Sequence, residues 1–238
     1  MVGIGPGGPL DRTLRAEKAI GQSTIVVGYA RYLELIKDLT PGKEIISSGM
    51  RQEKERCLIA LQRAKEGSRV SLISSGDPGI YGMAGLALEL SAAEGMDVPI
   101  EIVPGVSASN AAAAKLGAPI MLDYASISLS DLLVPWETIL KRLAAVAQAD
   151  LVTVLYNPKS KKRIRQLEEA VSLFQGFRPG TTPVGIGTAI GTEEEHFVLT
   201  DLDHCLNFDI NMRSILVVGN NSSLNLKGWF VTPRGYSL

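Results

Sequence analysis

The stretch Ser74–Gly82 reads S-S-G-D-P-G-I-Y-G and directly follows the apolar run 70–73. This order predicts a buried strand that ends in a glycine-rich loop. Pro78 fixes one backbone φ angle there, while the glycines allow conformations closed to other residues and a close approach of a ligand to the main chain. Asp77 would then lie at the carboxyl end of a strand, where open α/β sheets bind ligands. A tight turn in which Asp77 caps the next helix explains these residues equally well.

Charge and composition exclude several classes of protein. The 238 residues include 24 basic and 25 acidic ones, a balance that favours neither nucleic acid nor an anionic membrane as a partner. No stretch approaches the roughly 20 apolar residues of a membrane span. Cys57 and Cys205 lie outside any C-x-x-C pair, and His196 and His204 lack the spacing of metal ligands. We therefore expect a cytoplasmic protein with reduced thiols and no bound metal.

Short β-rich runs alternate with helical patterns, which predicts an α/β fold. A change in character after residues 117–119 places a domain boundary there, giving domains 1–118 and 119–238, the second with some antiparallel pairing. The basic run 159–165 is interpreted as the solvated first turns of a helix. Strands are expected at 1–4, 24–28, 44–47, 70–74, 100–103, 125–130, 151–156, 184–187, 195–199 and 214–219, and helices at 52–66, 81–93, 106–116, 135–148 and 164–174.

Five loops rich in glycine or polar residues follow predicted strands. They are V-G-I-G-P-G-G-P at 2–9, the stretch 74–82, V-P-G-V-S-A at 103–108, L-Y-N-P at 155–158 and V-G-N-N-S-S at 218–223. Because the carboxyl ends of parallel strands line one edge of a sheet, five such loops favour a binding site more strongly than one does. Ser107 in the third loop has the alternative role of a helix cap.

The first loop formally satisfies the dinucleotide-binding pattern G-x-G-x-x-G with Gly3, Gly5 and Gly8. That pattern also requires an acid at the end of the second strand, and residues 26–29, V-V-G-Y, contain none. Pro6 removes one amide from the presumed phosphate cradle. A dinucleotide-dependent oxidoreductase is therefore disfavoured. No nucleophile–base pair is readable either, so the chemistry must come from a bound reagent and from positioning.

The motifs G-I-G-P-G-G, S-S-G-D-P-G-I-Y-G and V-P-G-V-S-A, in this order and spacing, resemble the tetrapyrrole (corrin and porphyrin) methylases, over nearly the whole chain. The segment A-S-I-S-L-S-D-L-L-V-P-W-E at 125–137, followed by L-Y-N-P-K-S-K, is similar to the precorrin-3B C17-methyltransferase branch of cobalamin biosynthesis. The resemblance implies two α/β domains with the ligand cleft between them, S-adenosylmethionine as methyl donor, a tetrapyrrole substrate and a homodimer.

The family's donor contacts fall on matching positions of this sequence. They are Pro6, Ser75, Gly76, Asp77, Ile80, Ser107, Ala108 and Tyr156, with a looser match at Ala189 and Ile190. The branch also contracts the macrocycle, which requires acid–base groups. From residue types we nominate Asp77, Tyr81, Ser128 and Asp131, although Asp131 could merely cap a turn and Ser128 could merely face solvent. Arg51 and Lys115 are weaker candidates for contacts with substrate carboxylates.

Two alternatives remain open at this point. The chain could be a corrin methylase with a different ring-carbon specificity, or a tetrapyrrole-binding homologue without transfer activity. It also departs from the branch, which usually has a histidine where Leu122 stands. If that histidine takes part in ring contraction, this protein contracts the ring differently or poorly. The sequence leaves open whether the substrate contains cobalt.

Overall fold

The computed structural model describes residues 1–237 and divides into two compact units, Met1–Ala108 and Ser109–Leu238. The domain limits predicted from the sequence, 1–118 and 119–238, stay a prediction. The compact units differ from them by assigning helix 109–116 to the second unit. This helix packs there through Leu116, because a Cβ added to Gly185 would lie 2.4 Å from Leu116 Cδ1.

The first unit is a parallel sheet in the order β1-β4-β2-β3, with a helix after each strand. Its strands are β1 (Val2–Gly3), β2 (Ile25–Tyr29), β3 (Glu44–Ser48) and β4 (Val70–Ser74). Its helices are α1 (Leu14–Gly21), α2 (Ala30–Glu34), α3 (Glu53–Lys65) and α4 (Ala84–Ala93). All strands point the same way, so their carboxyl ends share one edge.

Both faces of this sheet are covered, which explains why most residues of its central strands β2 and β4 are apolar. Val26 and Ile73 belong to a core with α1 and α2 on one face. Their neighbours Val27 and Leu72 belong to a core with α3 and α4 on the other face. The alternation follows from the two-residue period of a strand.

Local sequence signals explain where two of these helices begin and end. Helix α1, which the sequence analysis did not predict, begins after Thr13, whose hydroxyl accepts a hydrogen bond from the amide of Ala16. Helix α3 is followed by Gly67 at φ +90°, as predicted for a glycine that ends a helix.

The strand expected at 100–103 is wrong. Only Val103 pairs, in an isolated parallel bridge to Val2, through bonds of 2.8 Å to the carbonyl of Met1 and 3.0 Å from the amide of Gly3. Pro99 and Pro104 flank the segment and lack the amides that a longer ladder requires.

The second unit contains a five-stranded sheet in the order β6-β7-β10-β8-β9 and a small three-stranded sheet, β11-β12-β5. The strands are β5 (Gly117–Ala118), β6 (Tyr124–Ser128), β7 (Val152–Tyr156), β8 (Pro183–Thr188), β9 (His196–Asp201), β10 (Ser214–Val218), β11 (Leu224–Leu226) and β12 (Trp229–Val231). The helices are α5 (Ala108–Leu116), α6 (Trp136–Gln148) and α7 (Arg165–Gln175). Strands β6 and β7 are parallel, whereas β10 is antiparallel to both β7 and β8, so the predicted antiparallel pairing is confirmed.

Helices α6 and α7 cover one face of the five-stranded sheet with a core that includes Leu143, Leu167 and Phe174. Helix α7 begins at Arg165, so the interpretation of the basic run 159–165 as the first turns of a helix is wrong. Residues 159–164 form the loop between β7 and α7. Across residues 1–237, no helix is long and apolar enough to cross a bilayer.

Candidate functional site

Three loops of the first unit meet at one edge of its sheet. The loop after β1 and the loop after β4 lie side by side because β1 and β4 are parallel neighbours, with Gly3 opposite Ser74. They are joined by a bridge between Gly5 and Gly76, whose amides donate to each other's carbonyl at 3.3 and 2.7 Å. The Val2–Val103 bridge brings the third segment, 103–108, to the same edge. The predicted convergence of strand-end loops is therefore present in this unit.

Glycine is required where the three loops touch. A Cβ on Gly105 would lie 2.1 Å from the carbonyl oxygen of Gly76, and a Cβ on Gly3 would lie 2.7 Å from the same oxygen. Gly76 itself is different, because a Cβ there would meet nothing closer than 3.8 Å, and it is its φ of +60° that favours glycine. The predicted site did not include Gly105. Its position in the motif V-P-G-V-S-A could have indicated that it lies at this junction.

The carboxylate of Asp77 ties these loops together. Its Oδ1 accepts a hydrogen bond from the amide of Gly79 at 2.7 Å, and its Oδ2 accepts one from the amide of Gly105 at 3.1 Å. The alternative role of Asp77 as a helix cap is wrong. Helix α4 begins only at Ala84, and no side chain caps it. Asp77 instead closes its own turn and links it to the third loop.

The other nominated residues of the first unit surround this junction. Ser107 is buried, whereas Ile80 and Tyr81 are exposed. Tyr81 has a φ of +53°, a conformation that non-glycine residues rarely adopt and that is often found at functional sites. Pro6, Ser75 and Ala108 are partly exposed and complete the set of predicted donor contacts in this unit.

In the second unit, one edge of the five-stranded sheet contains every site residue that we nominated there. Strands β6 and β7 are parallel, and β8 is parallel to them because both β7 and β8 pair antiparallel with β10. Ser128, Tyr156 and the loop from Ala189 therefore lie at the same edge. Tyr156 accepts a hydrogen bond from the amide of Ser109 at 3.0 Å, in the first turn of α5.

Ser128 and Asp131 are held by side-chain bonds. The Ser128 hydroxyl oxygen accepts from the amide of Ser130 at 3.2 Å and from Asn157 Nδ2 at 3.0 Å. These two bonds use the acceptor capacity of the hydroxyl and leave its O–H as the group that can donate. Asp131 Oδ2 accepts from Gln166 Nε2 at 2.7 Å. Neither residue merely faces solvent.

The loop after β8 has a strained start. Ala189 has a φ of +53°, and both Ala189 and Ile190 are buried. The amide of Gly191 and the ammonium of Lys115 both bond to the carboxylate of Glu195, the latter at 2.7 Å. The charge of Lys115 is therefore neutralised within this unit, which weakens its candidacy as a substrate contact.

The fifth predicted loop lies at the opposite edge. Because β10 runs antiparallel to β7, Val218 pairs with Thr153 near the start of β7 and not near its end. The loop is anchored there by Asp150, which accepts from the amide of Asn221 at 3.1 Å. Its polar residues thus stabilise a turn and take no part in the edge that contains Tyr156.

The cysteines lie outside both regions. Burial raises the pKa of the Cys57 thiol, in the core against α4, to about 11. Burial likewise raises the pKa of Cys205, in the core of the second unit, to about 11. Both thiols are protonated at neutral pH and are poor nucleophiles. Within residues 1–237, no three His, Cys, Asp or Glu side chains are grouped as metal ligands would be.

Comparison with known proteins assigns this arrangement to a family. A model of the Tetrapyrrole (Corrin/Porphyrin) Methylases matches residues 1–205. The probable cobalt-factor III C(17)-methyltransferase of Salmonella typhimurium is 44% identical over 238 residues, 100% of this chain and 99% of that protein. The precorrin-3B C(17)-methyltransferase of Sinorhizobium sp is 37% identical over 92% of this chain and 87% of that protein.

The fold agrees with this similarity in sequence. The crystal structure of the methyltransferase CobJ superposes with a TM-score of 0.91 at 33% identity, covering 98% of each chain. The motifs that form the glycine junction of the first unit all lie inside the matched range 1–205. The chain therefore belongs to the tetrapyrrole (corrin and porphyrin) methylases.

Proposed function

We propose that this protein is an S-adenosylmethionine-dependent methyltransferase that methylates C17 of cobalt-factor III or precorrin-3B, with the associated ring contraction, in cobalamin biosynthesis. The observation that supports this most is similarity from end to end, at 44% identity, to a relative named for cobalt-factor III C17 methylation. The relative named for precorrin-3B is less similar, at 37%, which favours the cobalt-containing substrate.

The glycine junction of the first unit suits the proposed donor. S-adenosylmethionine has no phosphate, so its adenine, ribose and amino-acid groups can be held by backbone amides and carbonyls. The junction of Gly5, Gly76 and Gly105 presents main chain with few side chains. The donor contacts that we propose are Pro6, Ser75, Gly76, Asp77, Ile80, Ser107 and Ala108 in the first unit, and Tyr156, Ala189 and Ile190 in the second.

The donor supplies a methyl group that is already activated by its sulfonium. The chain's task is to hold that group in line with the attacking ring carbon, at about 3–3.5 Å. Rigid loops serve this task. The bonds from Gly79 and Gly105 to Asp77 fix the position of the loop after β4, and we infer that Asp77 acts on the donor mainly by this positioning.

Ring contraction requires proton transfers, for which we propose Ser128, Asp131, Tyr81 and Asp77. Ser128 is the strongest candidate donor because its O–H is left to bond a ligand. Asp131 accepts a hydrogen bond from Gln166 through Oδ2. Within residues 1–237, no hydrogen bond engages its other oxygen, Oδ1. Leu122, where the branch usually has a histidine, is exposed and cannot transfer a proton.

Mass spectrometry of the product tests the reaction directly. The purified protein is incubated with S-adenosylmethionine and either cobalt-factor III or precorrin-3B. We expect a mass gain of one methyl group on cobalt-factor III, and an altered absorption spectrum of the same product, because moving C20 from the ring to a substituent changes the conjugation but not the mass. Methylation without contraction would support only the methyl-transfer part of the proposal. It would also point to Leu122, in place of the usual histidine, as the reason that the ring is not contracted.

Calorimetry separates the competing functions. Binding of S-adenosylhomocysteine without product formation on either tetrapyrrole would favour a binding homologue. Methylation at another carbon would favour a different corrin methylase. Binding of NAD without binding of S-adenosylhomocysteine would overturn the methylase proposal.

The proposal extends to a cytoplasmic homodimer. The dimeric state is supported by the exposed apolar face of the β11–β12 hairpin, where Leu226 pairs with Trp229 and both side chains are exposed. Exposed apolar patches of this kind mark interaction surfaces. Light scattering after size exclusion should give the mass of two chains, and Trp229→Ser should shift it toward one; a monomeric wild type would refute the dimer.

A further inference from the structure

The loops after β6 and β7 form one continuous surface with a distinctive chemistry. Strands β6 and β7 are parallel neighbours, so their loops, 129–135 and 157–164, leave the sheet side by side. The guanidinium of Arg163 donates to the carbonyl of Leu129 at 3.1 Å and to that of Asn157 at 2.8 Å. The Asn157–Ser128 and Gln166–Asp131 bonds add two more links.

The second of these loops presents positive charge without internal neutralisation. The eight residues 157–164 contain four basic side chains and no acidic one. Reciprocal backbone bonds between Ser160 and Arg163, at 2.9 and 3.3 Å, close a turn whose two central residues are Lys161 and Lys162. Both lysines are exposed. Across residues 1–237, no carboxylate lies within ion-pair distance of either ammonium.

The first loop presents apolar side chains beside this charge. Leu132 is 73% exposed and Leu133 is 96% exposed, although both follow a buried leucine, Leu129, in a folded segment. Leucine side chains this exposed contribute no hydrophobic free energy to folding, because they remain in contact with water. An apolar pair next to a cationic turn is complementary to a flat apolar ligand with anionic groups at its rim.

We propose that these two loops form the platform that binds the tetrapyrrole, with Leu132 and Leu133 against the face of the macrocycle and Lys161 and Lys162 against its carboxylate arms. This inference rests on the proposed function for the identity of the ligand. It adds residues that the predicted site lacked.

Arg163 is a positioning residue, because its guanidinium donates its hydrogen bonds to the carbonyls of the two loops. Its burial lowers the pKa of the guanidinium, an effect that nearby Asp131 opposes.

Binding measured without turnover tests the platform independently of catalysis. The affinity for cobalt-factor III is determined by absorbance titration in the absence of donor, for the wild type and for Lys161→Gln/Lys162→Gln. Loss of the two exposed ion pairs with the substrate should raise the Kd about tenfold. The difference should be largest at about 10 mM salt, where the Debye length is ~30 Å, and should nearly vanish at about 1 M salt, where it is ~3 Å.

A matched control removes the same charge elsewhere in the same unit. Lys141 and Arg142 are adjacent, exposed and in the middle of α6, away from the loop edge. Lys141→Gln/Arg142→Gln should leave the Kd within about twofold of the wild type. An equal effect of both double variants would overturn the proposal, because the effect would then be one of net charge.

The apolar half of the platform has its own test. Leu133→Ser should raise the Kd for cobalt-factor III about fivefold to tenfold at either salt concentration, since apolar contacts are not screened. Leu206→Ser, a change at an exposed leucine in the 205–207 turn, should leave the Kd unchanged. An unchanged Kd for Leu133→Ser would remove the leucines from the platform.

The outcomes distinguish this inference from the proposed function. All variants should bind S-adenosylhomocysteine in calorimetry with the wild-type Kd, because the platform holds the tetrapyrrole. Wild-type methylation with an unaltered Kd in the lysine variant would overturn the platform and leave the function intact. Weaker binding in the lysine variant, with no methylation by the wild type, would support the platform and refute the function. A wild type that does not bind cobalt-factor III would overturn both.

Discussion

The glycine junction of the first unit and the loop edge of the second unit are built from different atoms. The junction is made of main chain, with Gly5, Gly76 and Gly105 in contact and one carboxylate, Asp77, across them. The edge is made of side chains, with Arg163 and Ser128 holding neighbouring loops. Main chain in contact with main chain leaves no room for an added atom, whereas each side-chain bond contributes only about 1 kcal/mol. Substitutions should therefore have large effects in the first region and graded ones in the second.

Gly105→Ala is the most severe test of the main-chain region. The added Cβ would lie 2.1 Å from the carbonyl oxygen of Gly76 and 2.8 Å from the carbonyl carbon of Gly3, and neither backbone atom can rotate away. We expect a loss of unfolding free energy at or above about 3 kcal/mol, with loss of S-adenosylhomocysteine binding. Urea denaturation and calorimetry measure the two effects.

Gly85→Ala is the control for this change. Gly85 lies inside α4, and a Cβ there would meet nothing within 4 Å. Alanine should stabilise the protein by about 0.5–1 kcal/mol, because it lowers the entropy of the unfolded chain. If Gly105→Ala proved as harmless as Gly85→Ala, the close packing of the junction would be refuted.

Asp77→Asn breaks one specific link of the junction. The amide oxygen of asparagine can still accept from Gly79, but its NH₂ group cannot accept from Gly105. Loss of a hydrogen bond to a charged group costs about 1.5–3 kcal/mol, so the Kd for S-adenosylhomocysteine should rise about 10- to 100-fold. Asp77→Ala should weaken binding further and cut methyl transfer.

The same variants separate positioning from acid–base catalysis by Asp77. A positioning role predicts weaker donor binding with a smaller change in kcat at saturating donor. A fall in kcat with an unchanged donor Kd would instead make Asp77 a catalytic residue. Unchanged turnover in Asp77→Ala would remove it from the site altogether.

Tyr156→Phe tests the hydroxyl group of Tyr156 in the side-chain region. The substitution removes the hydroxyl that accepts from the amide of Ser109 at 3.0 Å and keeps the ring. We expect a loss of about 1 kcal/mol in unfolding free energy, measured by urea denaturation. A loss above about 3 kcal/mol would mean that the second region is as intolerant as the first, and the comparison would fail.

Sequence patterns predicted the first region well because its information is local. A strand followed by S-G-D-P-G predicts a glycine loop, and the family motifs placed Asp77 and Gly76 in it. The contact between Gly105 and Gly76 was not predictable, since it depends on which strands are neighbours. The strand expected at 100–103 failed for a related reason, because its apolar residues satisfied the pattern while Pro99 and Pro104 removed the amides.

The second region was harder to predict, because the sequence of a single segment does not determine the direction of its strand in the sheet. The loop 218–223 is rich in glycine and polar residues like the other four predicted loops, yet the antiparallel direction of β10 puts it at the other edge. The basic run 159–165 fits the start of a helix equally well, since charge alone does not distinguish a helix face from a turn. Ser128 lies at this edge and its catalytic role stays a prediction; its bond to Asn157 depends on the β6–β7 pairing.

The two buried thiols provide the most sensitive comparison, because each unit contains one. Cys57 lies in the first unit and Cys205 in the second, and burial raises the pKa of each to about 11. Since the folded pKa exceeds the usual value of 9.0, the contribution of each neutral thiol to stability is complete below about pH 9 and is lost as the pH rises toward 11. At pH 8 a thiol reagent should therefore label both cysteines slowly in the native protein and at once in denaturant. Mass spectrometry of the labelled peptides reports each unit separately. Faster labelling of Cys57 than of Cys205 in Gly105→Ala would localise the damage to the main-chain region, and rapid labelling of either thiol in the native wild type would contradict its burial.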